Sequence, residues 1–356
     1  MSGHDILPQS SAIAACAARI VGAADVPALV RHAAEARALA LDLHAAEAGP
    51  AWVTGVLSRL NDAITERALA LMQARHRLPP ARWCWLGLGS EGRLEQTLAT
   101  DQDNGLIFSA SDDGEARDLR ERFLPFARDA NQALADCGFP LCDGEVMGGN
   151  PRWCLSLAEW LENFGTWVRT PEPEALLNAA IFFDFRPLAG DAALAADLRR
   201  ELATLTRGNE IFLRMMTANA LAAAPPLGRL RDFVTVPESG GTIDLKKFGS
   251  RIFVDAARIL ALGHGAAETG TSARLRGAAR DGIIPPADAE AAVHAFHALQ
   301  GVRLAAQTAA VAAGTPPGNL IDPESLNEFD RRLLLDALRQ ARSLQQRLKT
   351  RFHIEN

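Results

Sequence analysis

The residues best placed to do chemistry lie in one stretch, Leu86-Gly-Leu-Gly-Ser-Glu-Gly-Arg-Leu-Glu-Gln-Thr-Leu-Ala-Thr-Asp-Gln-Asp-Asn104. A short apolar run, Trp83 to Leu88, reads as a buried strand that ends in Gly89-Ser90. A tight turn and a short helix should follow, and the free N–H groups and positive dipole end of that helix favour a phosphate. Asp101 and Asp103 stand one residue apart. On an extended segment their carboxylates share a face while Gln102 points away. Two carboxylates that close repel each other unless a cation lies between them. Oxygen ligands at this density suit Mg²⁺ (or Mn²⁺) bridged by substrate phosphates.

A rival reading uses the same glycines. Gly87, Gly89 and Gly92 satisfy GxGxxG after a strand, and Asp112 stands where a dinucleotide-binding fold places its ribose-binding acid. Geometry opposes it. A parallel crossover needs about a dozen residues or more, usually including a substantial helix, and the stretch from Gly92 to Asp101 is too short and too polar for one. Asp101-Gln102-Asp103 would also be an awkward opening for a strand buried on both faces. No GK[ST] follows, which excludes a Walker A loop. The spacing of Gly-Ser, ten residues and Asp-x-Asp is a nucleotidyl-transfer arrangement.

The surrounding elements must hold these residues. Residues 20–76 read as helix, broken at Gly49-Pro50, and Pro79-Pro80 ends the helical region. Gly105 to Phe108 reads as a second strand, about Glu115 to Cys137 as a helix, and Phe139 to Met147 as a third strand. Two helices follow, about Leu155 to Val168 and Pro173 to Phe183. From Gly190 the pattern is almost wholly helical, with helices expected over 248–262, 286–313 and 323–350. The exception is a hairpin of Arg229 to Val236 with Thr242 to Leu245. Trp153, Trp160 and Trp167, spaced by seven, read as packing on one helix face, and Asp184 with Arg186 as a buried ion pair.

Composition bounds the rest. The chain has 356 residues, 48% hydrophobic and 22% charged, which is ordinary globular composition with room for two or three domains. A net charge of −6 leaves no general basic field for DNA or an anionic membrane, so neither is an expected partner. Five cysteines without a CxxC do not suggest zinc. No signal peptide or membrane span is evident, so a cytoplasmic location is expected. Of 37 cationic residues only Lys246, Lys247 and Lys349 are Lys, and Tyr is absent.

The segment resembles the DNA polymerase β-like nucleotidyltransferase superfamily. More narrowly, it resembles the amino-terminal domain of the uridylyltransferases that modify the PII signalling protein. Closer still is a bacterial nucleotidyltransferase family whose members often carry CBS or cyclic-nucleotide-binding domains upstream. The match rests on Gly89-Ser90-x-Gly92-Arg93-x-Glu95-Gln96 and Thr100-Asp101-Gln102-Asp103-Asn104. Further along it rests on Gly144-x-x-Met147, Asn150-Pro151-x-Trp153, Phe183-Asp184-x-Arg186 and Gly190-Asp191. Ile243-Asp-Leu-Lys246 and Asn319-x-Ile-Asp-Pro323 are similar to the family's helical C-terminal domain.

The resemblance implies an α+β fold. A polymerase β-like nucleotidyltransferase domain over 79–189, with a small mixed sheet and helices, is flanked by an N-terminal helical region over 1–78 and a C-terminal helical bundle over 190–356. It implies transfer of an NMP from an NTP to a hydroxyl acceptor, with a protein side chain as acceptor by analogy with PII. A catalytically weak nucleotide-binding regulator is the alternative. Asp101 and Asp103 would be catalytic and hold the metal, and Gly89, Ser90, Gly92 and Arg93 would meet the nucleotide phosphates. Ser90 also suits an N-cap, and Arg93 also suits pairing with Glu95 or an Asp. The third acid is Asp143 or Glu145, with Glu145 carried in the metal set; both also suit a turn. Lys246 is carried as a nucleotide contact, beside the plain reading of Lys246-Lys247 as a solvated pair. Thr100, Gln102 and Asn104 are expected to stabilise the turn. The chain opens on what reads as a helical connector, so regulation by a nucleotide sensor is expected either to come from a separate protein or to be absent.

Overall fold

A computed structural model describes residues 3–228, 233–234 and 240–354. Packing divides the chain into two units, Met1–Phe164 with Ile181–Glu201, and Gly165–Ala180 with Leu202–Asn356.

The first unit opens with three helices, α1 (Gly3–Val21), α2 (Val26–Ala45) and α3 (Pro50–Arg75). Asp25 caps α2 by accepting from the Ala28 N–H, and Pro27 and Pro50 sit in first turns, where their missing N–H costs nothing. The strands are β1 (Trp83–Gly87), β2 (Asn104–Phe108), β3 (Cys154–Ser156) and β4 (Arg186–Gly190), in the order β3-β2-β1-β4. β1 runs antiparallel to β2, from Trp83 opposite Phe108 to Gly87 opposite Asn104, and antiparallel to β4 with a bulge at Trp85/Leu86. β2 and β3 are parallel. The antiparallel β1–β2 pair rules out the dinucleotide-binding crossover. A one-turn helix, α4 (Gly89–Gly92), and a loop connect those strands.

Trp85, Leu106, Ile107 and Phe108 are fully buried in the sheet, and α5 (Asp113–Asp136) supplies Phe123, stacked on Phe108 at 5.4 Å. Residues 139–147 do not form the expected strand; the third strand is β3 instead. α6 (Leu157–Arg169) begins after Trp153, so the three tryptophans do not share a helix. Trp153 instead stacks on Trp160 at 6.1 Å. α7 (Pro173–Phe182), most of which belongs to the second unit, and α8 (Ala192–Thr206) follow.

The second unit is helical: α9 (Glu210–Leu221), α10 (Arg251–His264), α11 (Thr271–Arg280), α12 (Pro286–Ala312) and α13 (Glu328–Arg351). Most of the 229–236 arm of the expected hairpin lies outside the described residues. The other arm is β5 (Ile243–Asp244), which pairs antiparallel with β6 (Leu320–Ile321). A π-helical turn over Lys246–Ser250 leads into α10, and the Asp244 carboxylate accepts from the N–H groups of Lys246 and Lys247. Among the described residues, no helix is long and apolar enough to cross a membrane.

Candidate active site

The Gly-rich turn is fixed by two close approaches. Gly89 has φ +53°, and a Cβ there would stand 2.9 Å from an Asp103 carboxylate oxygen. That backbone region costs little only for glycine. A Cβ on Gly92 would stand 1.9 Å from the Asp184 carbonyl oxygen, so no side chain fits. In a one-turn helix such as α4, the first N–H groups have no intrahelical acceptor. They belong to residues 89–91, beside Asp103.

Asp101-Gln102-Asp103 runs extended ahead of β2, and the Leu88 N–H reaches the Asp103 carbonyl at 2.9 Å. Alternation does the rest. Gln102 is buried, donating to the carbonyls of Asn131 and Phe139 at 2.9 Å each, while Asp101 and Asp103 are half-buried on the other side. Asn131 of α5 completes the floor by donating to the side-chain oxygens of Gln102 at 2.8 Å and Asn104 at 3.0 Å. The Gly148 and Gly149 N–H groups return to Asn104 and Asn131 at 2.8 and 2.9 Å. Gln102 and Asn104 thus act as the expected supports of the turn.

The 139–147 segment crosses this stretch as a loop. The Gln102 N–H donates to the Pro140 carbonyl at 3.1 Å and the Asn104 N–H to the Val146 carbonyl at 3.0 Å. The chain between these two anchors arches over Asp103 and delivers Cys142, whose thiol donates to an Asp103 carboxylate oxygen at 3.4 Å. One donor atom from each of Asp101, Asp103 and Cys142 lies within 4.8 Å of the other two. Burial, with a smaller push from Asp103, raises the Cys142 thiol above its ordinary value. Asp143 and Glu145 are exposed, and neither belongs to this cluster. Glu145 instead closes the turn that starts at Cys142 and lines a cleft of about 460 Å³ with Arg128, Leu141 and Asn150. Cys142 escapes sequence reasoning because the backbone bonds that deliver it leave no mark on residue types; the adjacent Asp-Gly turn is the only local signal.

Charged groups hold the turn from its other side. Arg93 pairs with Glu95 at 2.8 Å and with the fully buried Asp184 at 2.7 Å. Asp184 and Arg186 do not pair with each other as expected: Arg186 turns to Asp62 of α3 at 2.8 Å and to the Glu91 carbonyl at 3.0 Å. The bulge in β1–β4 and the close Gly92–Asp184 approach place them on different partners. Burial pushes the Glu91 carboxyl up to about 8, reinforced by the negative charge of Asp62 and countered by Arg186 and by a Thr65 hydroxyl bond of 3.2 Å. Ser90 is half-buried at the start of α4, and Lys246 is an exposed residue of the second unit.

The donor set suits a divalent cation in its chemistry, since two carboxylates and a sulfur each offer an atom within 4.8 Å of the others. The Gly89 hollow beside Asp103 is space that any Cβ would fill.

Comparison with known families agrees with this geometry. Residues 34–174 match the family described as "Putative nucleotidyltransferase DUF294", and residues 210–352 match "Putative nucleotidyltransferase substrate binding domain". No curated protein matches the chain. The first match contains the Gly89 turn, the Asp101–Asp103 pair and Cys142; the second contains Lys246 and the β5–β6 pair. The chain belongs to the DUF294 family of nucleotidyltransferases.

Proposed function

We propose that this protein transfers an NMP from an NTP to a hydroxyl acceptor and releases pyrophosphate. The observation that carries the reading is the pair of half-buried carboxylates, Asp101 and Asp103, facing one way beside the Gly89–Ser90 turn in a nucleotidyltransferase-family domain. Asp101 and Asp103 would hold Mg²⁺ or Mn²⁺, which supplies positive charge against the triphosphate and the attacking oxygen. The N–H groups at the start of α4 and the Ser90 hydroxyl would bind phosphate oxygens. Arg93 would orient the turn through Asp184, leaving phosphate contact to its neighbours. Lys246, within the match to the substrate binding domain, is a further proposed nucleotide contact, and the proposed acceptor is a protein side chain, by analogy with PII modification.

Incubation with each labelled NTP, Mg²⁺ or Mn²⁺, and a lysate tests the reading. One NTP should label an acceptor, and Asp101→Asn with Asp103→Asn should abolish labelling. The wild type should also melt higher with cation and that NTP together, by about 2.7 kcal/mol at a hundredfold excess over Kd. The double variant should keep its fold and lose this shift. A shift produced by NAD without metal, and surviving both substitutions, would refute the assignment. Self-labelling, if it occurs, should map to Ser or Thr, because the chain has no Tyr.

A further inference from the structure

The third side chain at the carboxylate pair is a thiol, which the transfer reading leaves unused. Four of the five cysteines are buried, and Cys142 alone is half-exposed. Its position is imposed, because the backbone bonds of Gln102 to Pro140 and Asn104 to Val146 fix both ends of the arch that carries it. A simple hydrogen bond accounts for its 3.4 Å contact with Asp103. Asp101, on the same face as Asp103, brings a third donor into the cluster. Ligand atoms held at about 2.0–2.3 Å from one cation lie at most about 4.6 Å apart. The 3.4 Å separation of the Cys142 sulfur from the Asp103 carboxylate oxygen is already that of two neighbouring ligands on one cation.

We propose that Cys142 is an inner-sphere sulfur ligand of the cation at Asp101 and Asp103, and that it biases the site toward Mn²⁺ and Co²⁺ over Mg²⁺. The inference rests on the metal-site part of the reading above and is independent of transfer. Mg²⁺ demands near-ideal octahedral oxygen coordination, whereas thiolate favours softer cations. The neighbouring acids do not compete for the position, since Asp143 and Glu145 are outside the cluster. On binding, a metal–sulfur bond forms and the thiol proton passes to solvent; nothing is oxidised or reduced.

The test uses the full chain, stripped of metal, without nucleotide. Titration with Co²⁺ should produce a near-ultraviolet sulfur-to-cobalt charge-transfer band at one equivalent. Cys142→Ser should still bind Co²⁺, seen by displacement of Mn²⁺ in paramagnetic resonance, but should lose the band. Its preference for Mn²⁺ over Mg²⁺ should fall at least about tenfold, the least that even an outer-shell loss costs. Cys142→Asp should move the preference toward Mg²⁺. Circular dichroism confirms the fold of each variant, and Cys142→Ala serves if Ser itself ligates. Co²⁺ bound to wild type without the band, a band that persists in Cys142→Ser, or an unchanged preference would each overturn the proposal. A band without transfer of any NMP upholds it and sinks the transfer reading, while Mg²⁺-driven transfer without a band does the reverse.

Discussion

Two polar layers support the Asp101–Asp103 pair, and they are built from opposite chemistry. Beneath Asp-x-Asp lies a neutral amide layer of Gln102, Asn104 and Asn131, in which the side-chain oxygens and the Gln102 and Asn131 amide groups meet partners at 2.8–3.0 Å and the Asn104 amide reaches Gln102 at 3.4 Å. Behind the Gly-rich turn lies a charged layer of Arg93 with Asp184, Arg186 with Asp62, and the buried Glu91. Amides carry no net charge, so their geometry is the same at any pH at which the protein folds. The charged layer depends on protonation and on every partner being present. The carboxylate pair thus rests between a fixed neutral platform and ion pairs whose charges roughly cancel.

The largest expected effect breaks the charged layer. Asp184 is fully buried against Arg93, so Asp184→Leu removes a carboxylate from a guanidinium held in the interior. Removing one partner of a buried pair costs about 3–5 kcal/mol. Urea unfolding should show that loss with an unchanged m-value, and the double variant Arg93→Met with Asp184→Leu should recover part of it. If Asp184→Leu costs less than about 1 kcal/mol, the layer does not hold the turn.

The amide layer predicts a smaller, pH-independent loss. Asn131→Leu orphans the N–H of Gly149, leaves the Gln102 side-chain oxygen with only the 3.4 Å Asn104 amide, and takes one of two donors from the Asn104 oxygen. Buried groups left without partners cost about 1–3 kcal/mol each, reduced where the 147–150 loop can reach water. About 2 kcal/mol is expected, the same at pH 6 and pH 8. Mn²⁺ affinity should fall as well, because Gln102 sets the side on which Asp101 and Asp103 emerge. A pH-dependent loss would mean that the two layers are coupled.

The two layers were unequally legible in the sequence. Alternation alone puts Gln102 on one side and both acids on the other, and the apolar runs at 83–88 and 105–108 locate β1 and β2 within a residue or two. The 139–147 run has the apolar content of a strand, but Gly144, Gly148 and Gly149 allow it to cross β2 closely instead, and the edge place goes to the short Cys154–Ser156. β4 was unforeseen because Pro187 argues against a strand, and it is tolerated at the sheet edge that β4 forms. Partners in the charged layer come from α3, the turn and β4, separated by 91 to 124 residues in its two ion pairs, and nothing local in the sequence specifies who meets whom.

A third effect separates the layers by pH. The Glu91 carboxyl, buried beside Asp62 and facing Thr65, Arg186 and Asp103, is raised to about 8, whereas in the unfolded chain it titrates near about 4.3. Between these values the folded protein keeps a proton that the unfolded chain has lost. Stability therefore falls as pH rises across that window, on the order of 1 kcal/mol per unit, and the loss is complete above about pH 8. Glu91→Gln keeps the size and the hydrogen-bonding capacity toward Thr65 but cannot ionise. Relative to wild type, the variant should gain stability steadily from pH 5 to pH 8, while Asn131→Leu should run parallel to wild type throughout. Chemical denaturation at four pH values measures both lines. A difference between wild type and Glu91→Gln that stays flat with pH would show that Glu91 ionises normally, and that the turn is held by the two arginine pairs alone.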